Sequence, residues 1–350
     1  MTTATAVETA EMRVAMTRKE AVGRILGLLL LLAASAWLVL NLVQAPRQFF
    51  TVLLDGFGNG ALYALIALGY TLVYGIIELI NFAHGDLFML STVLSGFMMV
   101  YWLGADEPGP GSWAMMLLTL VVAMGFGATV NVVIERVAYR RLRRAPKLAA
   151  LITAVGMSFI LQWVGLKWNG SAPQQWPTVI PAGGIDIAGV VLDYATIVVV
   201  LVTVPLLVLL TFVVQRTKQG RAMRATAQDQ DAARLMGINV DRTIALTFAL
   251  GGAMAGAAGL LFLESVGTTR YDAGFQLGLI AFTAAVLGGI GNLAGAVLGG
   301  LLIGLIQGLN DGLPYGLGQE WSQTVVFTIL ILVLVFRPTG ILGQPTVEKV

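Results

Sequence analysis

The chain has 350 residues, of which 57% are hydrophobic and only 11% charged, with 42 glycines and a formal charge of +2. That composition excludes an ordinary soluble domain and matches a multispan membrane protein, whose helices rely on small residues for close approach. With no cysteine and one histidine, disulfides, thiolate or multi-histidine metal centres and an H-E-x-x-H motif are excluded, and the near-neutral charge carries no signal for nucleic acid.

In chain order, residues 1–24 are polar and mixed in charge and predict a disordered or surface-lying cytoplasmic tail. Residues 25–43 form an apolar run long enough to cross a bilayer. Arg18, Lys19 and Arg24 ahead of Ala34-Ser35-Ala36 also resemble a signal peptide, yet the apolar run continues through Trp37 to Val43, which favours a retained span. In residues 53–103, two runs of spanning length meet at NFAHGD, placing Glu78, Asn81, His84 and Asp86 within nine residues of each other. Polar groups at membrane depth face a bundle interior or a pathway rather than lipid, so Asn81, His84 and Asp86 are candidates for lining a solute route. Each has a structural alternative. His84 can bond nearby backbone or Asp86, Asp86 can cap a helix starting at Leu87, Asn81 can close its own turn, and Glu78 should be paired or near an interface.

Further spans are expected at 114–134, 148–166, 194–214, 243–263 and 321–336, with tryptophans 168 and 176 of the polar segment 167–193 suited to the headgroup zone. If the N-terminus, loops 135–147 and 215–242 and the tail 338–350 are cytoplasmic, with Arg337 closing the last span on that side, the cytoplasmic face holds 18 of the 21 lysines and arginines. Parity then leaves both ends of 276–309 outside. As one helix this stretch would run about 51 Å, too long for one crossing and short for two. Two short helices meeting near Gly288 to Asn292 are therefore predicted, with Gly288, Gly289, Gly291 and Asn292 as further route candidates and Asn292 able to close its own turn. The expected fold is an all-α polytopic membrane protein: about eight full transmembrane helices plus a glycine-broken re-entrant pair within 25–337. Glycines spaced one turn apart, as at Gly56/Gly60 and Gly252/Gly256, predict tight helix contacts.

In loop 215–242, Thr226-Ala-Gln-Asp229 reads as a capping box and Gly237 suits a helix end, predicting a short helix over 227–236. Its Asp231-Ala232-Ala233-x3-Gly237 resembles the E-A-A-x3-G loop of bacterial ABC-transporter permeases, with Asp for the usual Glu and no I-x-L-P after it. The segments 60–90, 224–259 and 282–304 resemble, in order, the permease subunits of high-affinity branched-chain amino-acid (leucine/isoleucine/valine) transporters, and the resemblance covers roughly residues 49–337.

The distribution of lysines and arginines puts both termini on the cytoplasmic side, and that resemblance implies an ABC importer permease in the bacterial inner membrane. It implies a second permease subunit of the same family, two cytoplasmic ATP-binding subunits and an extracytoplasmic solute-binding protein. Ala227, Asp231, Ala232, Ala233 and Gly237 would belong to an ATPase-docking loop. No cofactor or metal is expected. The chain contains no G-x4-G-K-[ST] phosphate loop, so ATP-driven transport requires another polypeptide. Related permeases for urea and short amides share much of the pattern. An ion-coupled secondary transporter using Glu78, His84 and Asp86 as a relay is a further alternative, while a membrane hydrolase lacks a nucleophile, base and metal set.

Overall fold

The computed structural model describes residues 18–105, 107–109, 111–143 and 145–343, so residues 1–17 of the tail expected at 1–24 and residues 344–350 of the tail expected at 338–350 lie outside the described residues. The chain divides into two units, Met1–Pro46 and Arg47–Val350. The described part of the first contains helix α1 (Arg18–Gln44), which starts ahead of the expected span at 25–43, so residues 18–24 are helical.

Helix α2 (Pro46–Ile77) starts at the boundary, with Pro46 in the first helical position, where a missing N–H is harmless, and the rest of it opens the second unit. It continues with α3 (Ala83–Phe97), extended by a π-helical turn at Met98–Trp102, and α4 (Ser112–Ile134), extended by a π-turn at Glu135–Tyr139 and by α5 (Arg140–Leu142). Then follow α6 (Lys147–Asn169), strands β1 (Gln174–Gln175), β2 (Gly184–Ile187) and β3 (Val190–Asp193), and α7 (Tyr194–Arg216). After α7 come α8 (Lys218–Gln228), α9 (Gln230–Leu235), α10 (Val240–Val266), β4 (Thr268–Thr269), α11 (Ala273–Gly288), α12 (Leu293–Gly312) and α13 (Ser322–Phe336). Among the described residues, 9 helical segments are long and apolar enough to cross a membrane. The glycine-broken pair is unequal, because α12 reaches spanning length and the 16-residue α11 does not.

Helix α3 is the axis of this unit. Every residue from Ala83 to Gly96 is buried, with α4, α6, α10 and α11 around it. Lipid is as apolar as leucine, so helices in a bilayer associate through close fit rather than hydrophobic exclusion. The expected glycine contacts supply that fit within one chain. A Cβ on Gly252 of α10 would strike the Gly127 carbonyl of α4, and one on Gly304 of α12 would strike Gly60 of α2. Gly85 of α3 meets Gly274 and Gly278 of α11 in the same way.

The polar segment after α6 folds into a hairpin whose turn, Ala188-Gly189, has positive φ at both residues (59° and 84°), as the right-handed strand twist requires. Trp176 is not a headgroup anchor. It is buried, its indole occupies the space above Gly96, and it stacks near Phe97 with ring centroids 5.2 Å apart. Trp168 is also partly buried against Phe97 and Phe126. At the opposite, basic end, the buried carboxylate of Glu135 is paired with Arg143, which also donates to Asp241 at 2.6 Å. This ion chain ties the extension of α4 to the start of α10.

Candidate functional site

The α2/α3 elbow begins where Glu78 adopts a left-handed conformation (φ 53°), which stops a helix of L-residues. Glu78 itself is exposed. Asn81 does not close its turn with its side chain. Its amide donates to Asn131 of α4 at 3.2 Å and accepts from the Tyr139 hydroxyl at 3.1 Å, and Asn131 in turn donates to the Phe248 carbonyl of α10 at 2.7 Å. The elbow is thereby fixed to both neighbours through side-chain amides.

His84 and Asp86 lie deeper. The His84 imidazole fills the space over Gly69 of α2 and meets the Tyr70 ring edge-on, with centroids 4.9 Å apart; it is sealed from solvent and makes no hydrogen bond to Asp86. Asp86 is not a helix cap, because α3 starts at Ala83 and Asp86 falls inside its first turn. Its carboxylate accepts the Ser158 hydroxyl of α6, which also accepts from Gln162 at 3.3 Å. The other oxygen, Oδ1, is buried without a hydrogen-bond partner.

The α11/α12 elbow is built differently. Gly289 (φ 108°) and Gly291 (φ 90°) take backbone conformations that side chains disfavour, and Gly288 lies against the Gly295 backbone. Asn292 caps α12 by accepting from the Gly295 N–H at 3.2 Å, the local closure anticipated for it. Its amide also donates to the Leu342 carbonyl at 2.8 Å, while the Leu342 N–H donates to Gly288 and the Ile341 N–H to Leu287, both at 2.9 Å. The C-terminal segment therefore completes this elbow. In the sequence this return is marked locally by Gly340, whose positive φ (79°) brings it against Gly289.

The loop after α7 holds α8 and α9 instead of one helix over 227–236. Thr226 is buried inside α8, and the capping residue is Asp229, whose Oδ1 accepts from the N–H groups of Asp231 (2.8 Å) and Ala232 (3.0 Å). The capping box misplaced the helix start because Thr226 and Asp229 compete for the same role, and Asp229 alone has the extended backbone a cap needs. Gly237 does end the helix, in a left-handed conformation (φ 80°). Ala233 is buried, Asp231 and Ala232 are exposed, and the tip presents Leu235 and Met236 at 90% and 82% exposure. These are the most exposed large apolar side chains among the described residues.

The last turns of α2, the α11/α12 elbow and the loop meet. A Cβ on Gly75, near the end of α2, would sit 3.5 Å from Gly291, and both glycines line a cavity of about 120 Å³ that Ala227 of α8 also lines. One member of the predicted docking set and one of the predicted route set thus share a wall. Asn81, His84 and Asp86 lie outside that cavity, in the packed core.

A bundle of span-length helices with two interrupted elbows and an exposed loop helix defines a polytopic membrane permease. Residues 52–334 match the family model described as branched-chain amino acid transport system / permease component, and the chain belongs to that family. It is 42% identical over 309 residues to the high-affinity branched-chain amino acid transport system permease protein BraD of Pseudomonas aeruginosa, covering 87% of this chain and 98% of the relative. It is 41% identical to LivH of Escherichia coli, named for the same transport system, over 86% of this chain and 98% of that protein. A more distant relative is the autoinducer 2 import system permease protein LsrC of Shigella flexneri, at 26% identity over 71% of this chain and 68% of LsrC.

Proposed function

We propose that this chain is the permease subunit of an ABC importer for branched-chain amino acids. It sits in the bacterial inner membrane with both termini cytoplasmic, beside a second permease subunit of the same family. An extracytoplasmic binding protein delivers the solute, and two ATP-binding subunits drive its passage. The reading is carried by the match to BraD and LivH, which spans nearly the full length of those relatives.

On this reading, Asp231, Ala232, Ala233 and Gly237, with Ala227 on the preceding helix, form the loop that docks on an ATPase subunit, and Leu235 and Met236 supply its apolar tip. The route passes beside the elbows. Gly288, Gly289, Gly291 and Asn292 form its wall at the basic end, while Asn81, His84 and Asp86 hold the frame behind it. The deciding measurement is co-purification of the assembled complex followed by solute-dependent ATPase activity with leucine, valine, urea and acetamide. Stimulation by leucine and valine through the binding protein is expected. Stimulation by urea or acetamide alone would move the assignment to an amide importer, and uphill uptake by the isolated subunit would end it.

A further inference from the structure

The cavity shared by the elbow and the loop contains a polar group without a use. Thr71 lines it, is buried at 1% exposure, and its hydroxyl has no hydrogen-bond partner. Hydroxyls in apolar helices ordinarily donate to the carbonyl four residues back, and Ser91, Thr92, Ser95, Thr119, Thr247 and Thr283 all do so. Thr71 departs from that habit, as do Thr203 and Thr226, and of these three Thr71 alone lines the cavity; an unpartnered buried hydroxyl calls for a specific explanation.

The rest of the wall says what kind of molecule satisfies it. Leu72, Ile76, Met223 and Leu293 make the interior apolar, and Arg224 stands exposed at the rim. The Arg224 guanidinium donates one bond, to the Val214 carbonyl, and has further donors in its planar fork. A cavity of about 150 Å³ lined by aliphatic side chains takes a benzene ring, so the roughly 120 Å³ here suits one branched aliphatic side chain.

We propose that this cavity is a binding site for an aliphatic α-amino acid at the basic end of the permease. The branched side chain lies against Leu72, Ile76, Met223 and Leu293, the ammonium donates to Thr71 Oγ1, and the carboxylate accepts from Arg224 at the rim. The site rests on the transport reading and adds to it a place, next to the loop helix α8, where solute is held on its way out. Occupancy of the site is thereby coupled to the position of that helix, since Met223, Arg224 and Ala227 all belong to it.

The test is equilibrium binding to the assembled complex in nanodiscs without the binding protein. The probes are labelled leucine and three competitors: alanine, isoamylamine, which lacks the carboxylate, and isocaproate, which lacks the ammonium. Thr71→Val keeps the shape and removes the hydroxyl. It should weaken leucine and isoamylamine about tenfold and leave isocaproate unchanged, with Thr71→Ser restoring wild-type values. Arg224→Gln should do the reverse, weakening leucine and isocaproate and sparing isoamylamine. A Cβ on Gly75 would meet Gly291 at ordinary contact distance, and the two further methyl groups of Gly75→Val would take up cavity volume, so this variant should shift preference from leucine to alanine. Equal loss for every probe, or unchanged leucine binding in both Thr71→Val and Gly75→Val, overturns the site. Binding-protein-delivered leucine uptake is measured in the same preparation. Uptake together with Thr71-independent binding removes this inference alone, whereas absence of uptake in the wild type removes the transport reading.

Discussion

The two elbows meet the same requirement, an interrupted helix inside a membrane bundle, in opposite ways. At the α2/α3 elbow the freed backbone is enclosed by side chains: Asn81 is held by Asn131 and Tyr139, His84 fills the gap over Gly69, and Asp86 takes the Ser158 hydroxyl. At the α11/α12 elbow there are glycines, one capping asparagine and a returning C-terminal segment, and Gly291 stays exposed beside a cavity. Polar residues mark both breaks. What separates a filled joint from an open one is whether neighbouring helices bring matching donors and acceptors to it.

The comparison breaks first at the glycines. Gly252→Leu drives a branched side chain into the Gly127 carbonyl and Asn131, where even one added carbon overlaps, so the penalty exceeds the ~1–3 kcal/mol typical of overpacking. The expected outcome is loss of a monodisperse complex on size-exclusion chromatography. Gly291→Ala meets open space and pays only for its positive φ, roughly 1–2 kcal/mol, so it should assemble. Equal loss of assembly in the two variants would erase the distinction between the closely packed α4/α10 contact, which carries Asn131 behind the first elbow, and the open position at the second elbow.

Asn81→Leu and Asn292→Leu sharpen the comparison at smaller scale. The first leaves the buried Asn131 Oδ1 without its donor and the Tyr139 hydroxyl with only the Ile80 carbonyl, at about 1–3 kcal/mol, and should lower thermal stability and uptake together. The second removes a cap and the bond to Leu342, about 1 kcal/mol, and should lower uptake several-fold while assembly stays near normal. Paired melting and uptake measurements on each variant separate these outcomes.

Much of this was legible in the chain. Apolar runs located the spans, and Gly288 to Asn292 located the second elbow, because only glycine enters its left-handed backbone without strain. The glycine spacings at Gly56/Gly60 and Gly252/Gly256 announced close helix contacts, though not their partners. The roles of the polar residues were not legible. Asp86 looked like a cap because its acceptor capacity is visible in sequence, whereas Ser158, 72 positions away, is not. The same holds for Asn81 and Asn131, and for the return of Leu342 to Asn292. Trp176 failed for the opposite reason, since an indole beside a span suits a headgroup layer equally well until Gly96 opens a slot for it.

The smallest effect on the fold comes at the loop tip, and it separates architecture from coupling most cleanly. Asp231 is exposed and pairs with Arg234 at 2.7 Å, an arrangement worth about 0–1 kcal/mol in water. Asp231→Lys therefore leaves the helix, its Asp229 cap and the melting temperature of the complex essentially unchanged. If α9 transmits the ATPase stroke, reversing a charge beside the exposed Leu235 and Met236 should uncouple hydrolysis from uptake without dissociating the subunit from the membrane. ATPase and uptake rates measured side by side decide it: a variant that both hydrolyses and transports at wild-type rates removes Asp231 from the coupling surface, whereas hydrolysis retained with uptake lost assigns it there.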